Sequence, residues 1–282
     1  MIVSFLGTKG GTGTTTLAVN CAADIRRITN RSTVVVDLKS GPGDVALFLG
    51  LRPRHSLLTA LDNLAWIDPP SLSRYVIEHE CGLHVLAAGD EFARPGPRDA
   101  ESIEQLLRAL NAIYDFVIVD VGTSMMTAAG ALQLSDSILL VANPDVPCLR
   151  NLQRLVDGVK AAGVPVERLQ VVLNRASEFG VLSTAQIERV LGFTIAFTVN
   201  SDYRTVASAV NSGCRSRRFA RRSSTGNSTR SRGRSPDSSV VDQVRESASR
   251  NRHTVAPRRD SGASQWRSTS GWSRKRRWMS AR

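Results

Sequence analysis

The run Gly7-Thr8-Lys9-Gly10-Gly11-Thr12-Gly13-Thr14-Thr15-Thr16 constrains the fold more than any other feature of the chain. It follows a short apolar run, residues 2–6, and opens a segment, residues 15–28, whose apolar residues recur with helical period. A buried strand that turns into a helix through a glycine-rich loop presents backbone N–H groups to an anion, and the helix dipole adds to the attraction. Gly10, Gly11 and Gly13 let the backbone approach phosphate oxygens with no Cβ in the way. The plainer alternative is a tight turn with no ligand.

The rest of the chain up to about residue 212 alternates in the same manner. Short apolar runs, mostly rich in β-branched residues, predict strands over 33–37, 83–87, 116–121, 138–142, 169–173 and 193–199. Amphipathic segments between them predict helices over 71–79, 100–113, 123–134, 149–162, 183–191 and 202–211. Alternation of this kind predicts an α/β fold, a doubly wound and mostly parallel sheet. An acidic residue at the carboxyl end of a central strand can hold Mg²⁺ or its water shell, and Asp120 ends the run 116–121 in that position. The Thr15 hydroxyl stands where a phosphate-loop hydroxyl would ligate the same ion. Thr15 and Asp120 are therefore the candidate metal ligands. Asp120 has the alternative role of capping the turn or helix after it.

Other features narrow the class. No apolar stretch is long enough to predict a membrane-spanning helix. The first residues carry neither a basic stretch nor a cleavage site, so no signal peptide is expected. Cys21, Cys81, Cys148 and Cys214 are widely spaced with no CxxC pair, which argues against a zinc site or a disulfide framework and for a reducing cytoplasm.

The loop resembles the deviant Walker A motif, KGGxGK[ST]T, of the ParA/MinD group of ATPases. The variant KGGxGTTT, found here at residues 9–16, and the segment Pro144-Asp145-Val146-Pro147-Cys148-Leu149-Arg150-Asn151 resemble the CpaE/TadZ branch of that group. The resemblance runs from Ile2 to about Gly213. It implies an ATP- or ADP-binding domain with Mg²⁺, in which Gly10, Gly11, Thr12, Gly13, Thr14, Thr15 and Thr16 hold the nucleotide. It implies that Lys9 reaches across a nucleotide-sandwich homodimer to the partner's phosphates. It also implies that Asn174, in Val171-Val172-Leu173-Asn174-Arg175, reads the adenine edge, whereas an Asn at a strand end otherwise makes a turn.

Two positions depart from the group's pattern. Thr14 replaces the lysine that grips the β- and γ-phosphates, and charge-assisted contacts are roughly twice as strong as neutral ones. Lys39 replaces the second carboxylate of an Asp-x-Asp pair that positions the attacking water. Lys39 is either a solvent-facing loop lysine or a partial replacement for the charge missing at Thr14. Asp44 matches a switch-region position of the group and is either a catalytic helper or the N-cap of a short helix over 45–49. The turn at residues 200–204 resembles the group's PNDYR turn, with Asn200 and Ser201 in place of its Pro-Asn.

After Gly213 the texture changes. Of the chain's 37 Lys and Arg, 19 lie beyond residue 213, against only 4 of its 25 Asp and Glu, so the net charge of +12 belongs to the last quarter. This segment is dominated by Arg, Ser and Gly and has too little apolar area to offset its ordering entropy, which predicts a disordered basic tail over 214–282. It has two readings. One is a real basic tail that touches nucleic acid or an anionic membrane. The other, which we favour, is the product of a shifted reading frame: one encoding of Cys214 to Ala220, read a base earlier from Gly213, gives Val-Pro-Leu-Ser-Ala-Val-Arg, which suits the turn and final helix of the resembling group.

The function expected is that of a nucleotide-dependent, dimerising localisation factor for a Tad-type pilus or secretion machine, at most a slow ATPase. Its partners would be pilus or secretion assembly proteins, which would recruit it from the cytoplasm to the membrane or cell pole. The alternatives are a ParA/MinD-like partition or septum-positioning ATPase and a pseudo-ATPase scaffold.

Overall fold

The computed structural model describes residues 1–39, 42–66, 68–89, 99–176 and 182–211. In chain order its elements are β1 (Ile2–Gly7), α1 (Thr14–Thr29), β2 (Thr33–Asp37), α2 (Val45–Phe48), α3 (Leu57–Asp62), two 3₁₀ turns (Leu64–Trp66 and Pro69–Tyr75), β3 (Ile77–Glu78), β4 (His84–Leu86), α4 (Ala100–Ile113), β5 (Phe116–Gly122), α5 (Met125–Leu134), β6 (Ser137–Ala142), α6 (Val146–Ala161), a 3₁₀ turn (Val166–Arg168), β7 (Leu169–Ala176), α7 (Thr184–Leu191), β8 (Ile195–Asn200) and α8 (Tyr203–Asn211). The expected basic tail lies outside the described residues.

The strands form one sheet in the order β3-β4-β2-β5-β1-β6-β7-β8. Every pairing is parallel except β3 with β4. Alternate residues of the central strands enter separate cores on the two faces. Val3 and Phe5 of β1 pack with Leu17, Ala18 and Ala22 of α1, while Ile2 and Leu6 pack on the opposite side with α4, α5 and α6 residues such as Leu107, Leu132 and Leu152. Coverage on both faces is why β1, β2 and β6 are buried at every position and read as unbroken apolar runs apart from Ser4, Gly7, Thr33, Asp37 and Ser137.

The helix expected over 71–79 is corrected. A 3₁₀ turn, Pro69–Tyr75, is followed by the edge strand β3, which runs antiparallel to β4. Pairing of Ile77 with Val85 and of Glu78 with His84 draws the last part of the expected helix into the sheet. The helix α3 was not anticipated. It begins on a reciprocal capping box between Ser56 and Thr59.

This topology gathers the loops that matter. β1 lies between β5 and β6, and the chain leaves it toward β2 on the far side of β5. Ligands of such sheets bind beyond the carboxyl ends of the strands at the point where the strand order reverses. The ends of β1, β2, β5, β6 and β7 carry every candidate residue except Asp44, which follows β2 in the loop entering α2.

Candidate nucleotide-binding site

The loop after β1 closes on itself. Gly13 is the N-terminal boundary of α1, with φ of 90°, and no side chain caps the helix. The first-turn N–H groups of α1 are left to whatever sits in front of them. A Cβ at Gly13 would come within 2.4 Å of Asn174 Nδ2, so this glycine is required by both its backbone and its neighbour. Gly10 has open space where a Cβ would stand. In front of the loop lies a cavity of about 370 Å³ lined by residues 9–16 together with Lys39, Asp44, Phe48, residues 121–124 and Arg175.

Thr15 and Asp120 meet as expected. The Thr15 hydroxyl donates to Asp120 Oδ2 at 2.5 Å, and the Gly122 amide lies 3.4 Å from Oδ1. Asp120 is fully buried. Burial, and then the charge of Asp37, push its carboxyl up to about 7. A buried carboxylate beside a hydroxyl is a hard oxygen pair of the sort Mg²⁺ takes, and a cation there would relieve the cost of the buried charge. The two residues therefore fit the ion that the motif implies.

Thr14 lines the cavity, its hydroxyl lies 3.1 Å from Thr12 Oγ1, and the Thr12 hydroxyl also donates to the Lys9 carbonyl at 3.0 Å. Both threonines are buried and brace the loop from beneath.

Lys9 is held within its own chain. Its ammonium lies 3.2 Å from both carboxylate oxygens of Asp145. Asp145 is also the N-cap of α6, accepting from the Cys148 amide at 2.9 Å. Burial alone would raise the Asp145 carboxyl, but the Cys148 amide and Lys9 hold it below its ordinary range, and Asp145 in turn raises Lys9. Asn151, one turn on, donates to the Thr8 carbonyl at 3.1 Å. The segment 144–151 is thus fastened to the loop at two points. The sequence signal for Asp145 was present: an Asp directly before Val-Pro marks a helix start with proline in its first turn.

The capping role expected of Asp44 does not hold. It stands at the N-cap position of α2, but its side chain makes no capping bond. The cap is supplied by Asp37, whose Oδ2 accepts from the Val45 amide at 3.1 Å while Oδ1 accepts from the Lys39 amide at 3.1 Å. Asp44 instead forms a close ion pair with Lys39, which raises the Lys39 ammonium above its ordinary range. Lys39 is 39% exposed and lines the cavity, so it is no simple outward-facing loop lysine.

Asn174 lies within β7, not in a turn, and its amide donates to the Thr12 carbonyl at 2.7 Å. Beside it a second, smaller hollow of about 140 Å³ is bordered by Gly13, Thr16, Arg175 and residues 200–202. It shares Gly13, Thr16 and Arg175 with the first cavity. Among the described residues no cluster of three His, Cys, Asp or Glu could hold a metal by itself, and no helix is long and apolar enough to cross a membrane.

A family model described as an AAA domain matches residues 1–167. A ParA family protein of Mycoplasma genitalium is 29% identical over 175 residues, covering 56% of this chain and 64% of that protein, so the chain spans less than two thirds of the relative's length. The crystal structure of a ParA family ATPase from Chlorobium tepidum superposes with a TM-score of 0.72 at 23% identity, covering 79% of this chain and 93% of the other. The septum site-determining protein MinD from Pyrococcus horikoshii, solved with Mg-ADP, gives a TM-score of 0.62 at 20% identity, over 77% and 88% of the two chains. The fold is that of the ParA and MinD proteins.

Proposed function

Since the chain belongs to the AAA-domain family whose model covers its residues 1–167, we propose that it binds Mg-ATP or Mg-ADP at the loop Lys9 to Thr16 and acts as a nucleotide-dependent positioning factor of the ParA/MinD type. The observation that carries this reading is the 2.5 Å contact between Thr15 and Asp120 at the mouth of an uncapped helix. Backbone amides of the loop and α1 would hold the phosphates, and Thr15 and Asp120 would hold Mg²⁺ directly or through water. Asn174 and the smaller hollow would hold the base. Phosphoryl transfer depends mostly on positioning and electrostatics. With a neutral hydroxyl at Thr14 and Lys39 paired to Asp44, hydrolysis would be slow or absent, and the protein would work by nucleotide-dependent homodimerisation and partner binding.

Titration calorimetry of the full chain with Mg-ATP and Mg-ADP tests this. Saturable binding at micromolar or weaker affinity that is lost in Asp120→Ala is the expected result, and no binding at millimolar nucleotide would leave a pure scaffold.

Two cellular roles follow from different observations. The named relatives point to partition or septum positioning. The resemblance of the segment 144–151 to the CpaE/TadZ branch favours a role in assembling a Tad-type pilus or secretion machine, with recruitment from the cytoplasm by its partners. The genes flanking this one separate the two: a secretion ATPase and pilins for assembly, a centromere-binding partner for partition.

A further inference from the structure

Among the described residues the only carboxylate lining the cavity is Asp44, beside the cations Lys9, Lys39 and Arg175, while Asp37 at the end of β2 and Asp120 of β5 are fully buried next to it. A nucleotide would bring several further negative charges to the same place. Lys9 stands at the β6 side, in a pair with Asp145 that is as open to water as that of Lys39 with Asp44, and Thr14 contributes a hydroxyl where a cation is missing. Lys39 is placed differently. Its stem runs along Gly122, where a Cβ would lie 3.6 Å from Lys39 Cγ, and its backbone is fixed by the bond from its amide to Asp37. The head group pairs with Asp44, and each side chain of that pair is 39% exposed. Ion pairs so open to water contribute little and exchange readily.

We infer that Lys39 is the cation that grips the nucleotide's phosphates in this site, reaching them from the end of β2, and that Asp44 is the counter-ion it gives up to do so. The inference rests on the nucleotide-binding reading above and adds to it the residue that supplies the missing charge. It makes the Lys39–Asp44 pair an exchange switch. In their ion pair Asp44 neutralises Lys39. With phosphates present Lys39 turns to them, and Asp44, at the first turn of α2, is released. Nucleotide occupancy is thereby coupled to the short helix that carries the exposed Leu47.

The test is titration calorimetry of Mg-ADP into the full chain and its variants, each checked for unchanged thermal unfolding. Lys39→Gln should weaken binding by about tenfold or more, the scale of a contact to a charged group. Asp44→Asn, which removes the counter-ion charge from Lys39, should tighten it. Thr14→Lys added to Lys39→Gln should restore affinity by putting a cation back from the loop side. An Asp44→Asn variant that binds more weakly than the parent, or a Lys39→Gln variant that binds equally well, overturns the inference. If Lys39→Gln does not fold, the sign of the Asp44→Asn effect alone decides. A parent protein that binds no nucleotide defeats the proposed function itself, and a parent that binds while the variants show no opposed shifts defeats only the role of Lys39.

Discussion

The Thr15 hydroxyl and the Asp120 carboxylate, 105 residues apart in the chain, meet at 2.5 Å where α1 begins beside the end of β5. The burial of Asp120 sets a pH dependence. The Asp120 carboxyl titrates near 7 in the folded chain against an ordinary 3.8, chiefly because it is buried. The folded state therefore retains a proton that the unfolded state has released across that interval. Stability of the nucleotide-free protein should fall as pH rises from about 4 to about 7. Asp37, raised in the same direction by burial, adds to the slope. Binding Mg²⁺ requires the ionised carboxylate, so Mg-nucleotide affinity should rise with pH up to about 7 and level off above it. Denaturant melts and calorimetry across that range check both signs, and Asp120→Asn should flatten each curve.

Lys9 separates stability from assembly. Its pair with Asp145 is open to solvent, so Lys9→Ala should leave the melting temperature nearly unchanged. If Lys9 leaves Asp145 to reach a partner's phosphates, the same variant should abolish ATP-induced dimerisation in sedimentation velocity. Dimerisation that persists would show that the pairing with Asp145 is what Lys9 is for.

Asp37 should behave as a structural residue. It accepts two amides, those of Lys39 and Val45, on different oxygens in a fully buried position. Asp37→Ala should cost about 2–3 kcal/mol through donors left without partners, and Asp37→Asn, which can satisfy one of them, about half as much. Urea denaturation measures this. Equal losses for both variants would point to the charge as the source.

The glycines of the loop are not equivalent. Gly13→Ala combines a strained φ with a collision at Asn174 and should damage both folding and nucleotide binding. Gly10→Ala has room in the empty protein and should leave stability within about 0.5 kcal/mol. Its effect should appear only as weaker nucleotide binding, if the open space is where phosphates lie.

Turnover should be very slow in the parent protein, because no carboxylate stands at position 39 to orient a water. The double substitution Thr14→Lys with Lys39→Asp should raise phosphate release above the parent rate in a steady-state assay. Rapid hydrolysis by the unmodified chain would contradict the site as described.

The sequence alone determined the strand–loop–helix at residues 2–29, because a buried strand, a glycine-rich turn and a helical period are all local patterns. The alternation through residue 211 predicted a parallel sheet for the same reason, and the meeting of Thr15 with Asp120 followed from reading both as ligands of one ion, one in the first turn of the helix after the glycine-rich loop and the other near the end of a central strand. The short edge strand β3 and helix α3 were not legible, since both depend on local capping and edge pairing more than on long hydrophobic periodicity. The partners of Lys9, Lys39 and Asp44 were decided only by the tertiary structure. Each is a polar residue in a loop, where sequence fixes the residue type but not its direction. The packing of α6 against the first loop delivers Asp145 to Lys9, and Asp37 occupies the cap of α2, leaving Asp44 to Lys39. These choices follow from which strand ends the sheet order brings together, and no local pattern of residues encodes that order.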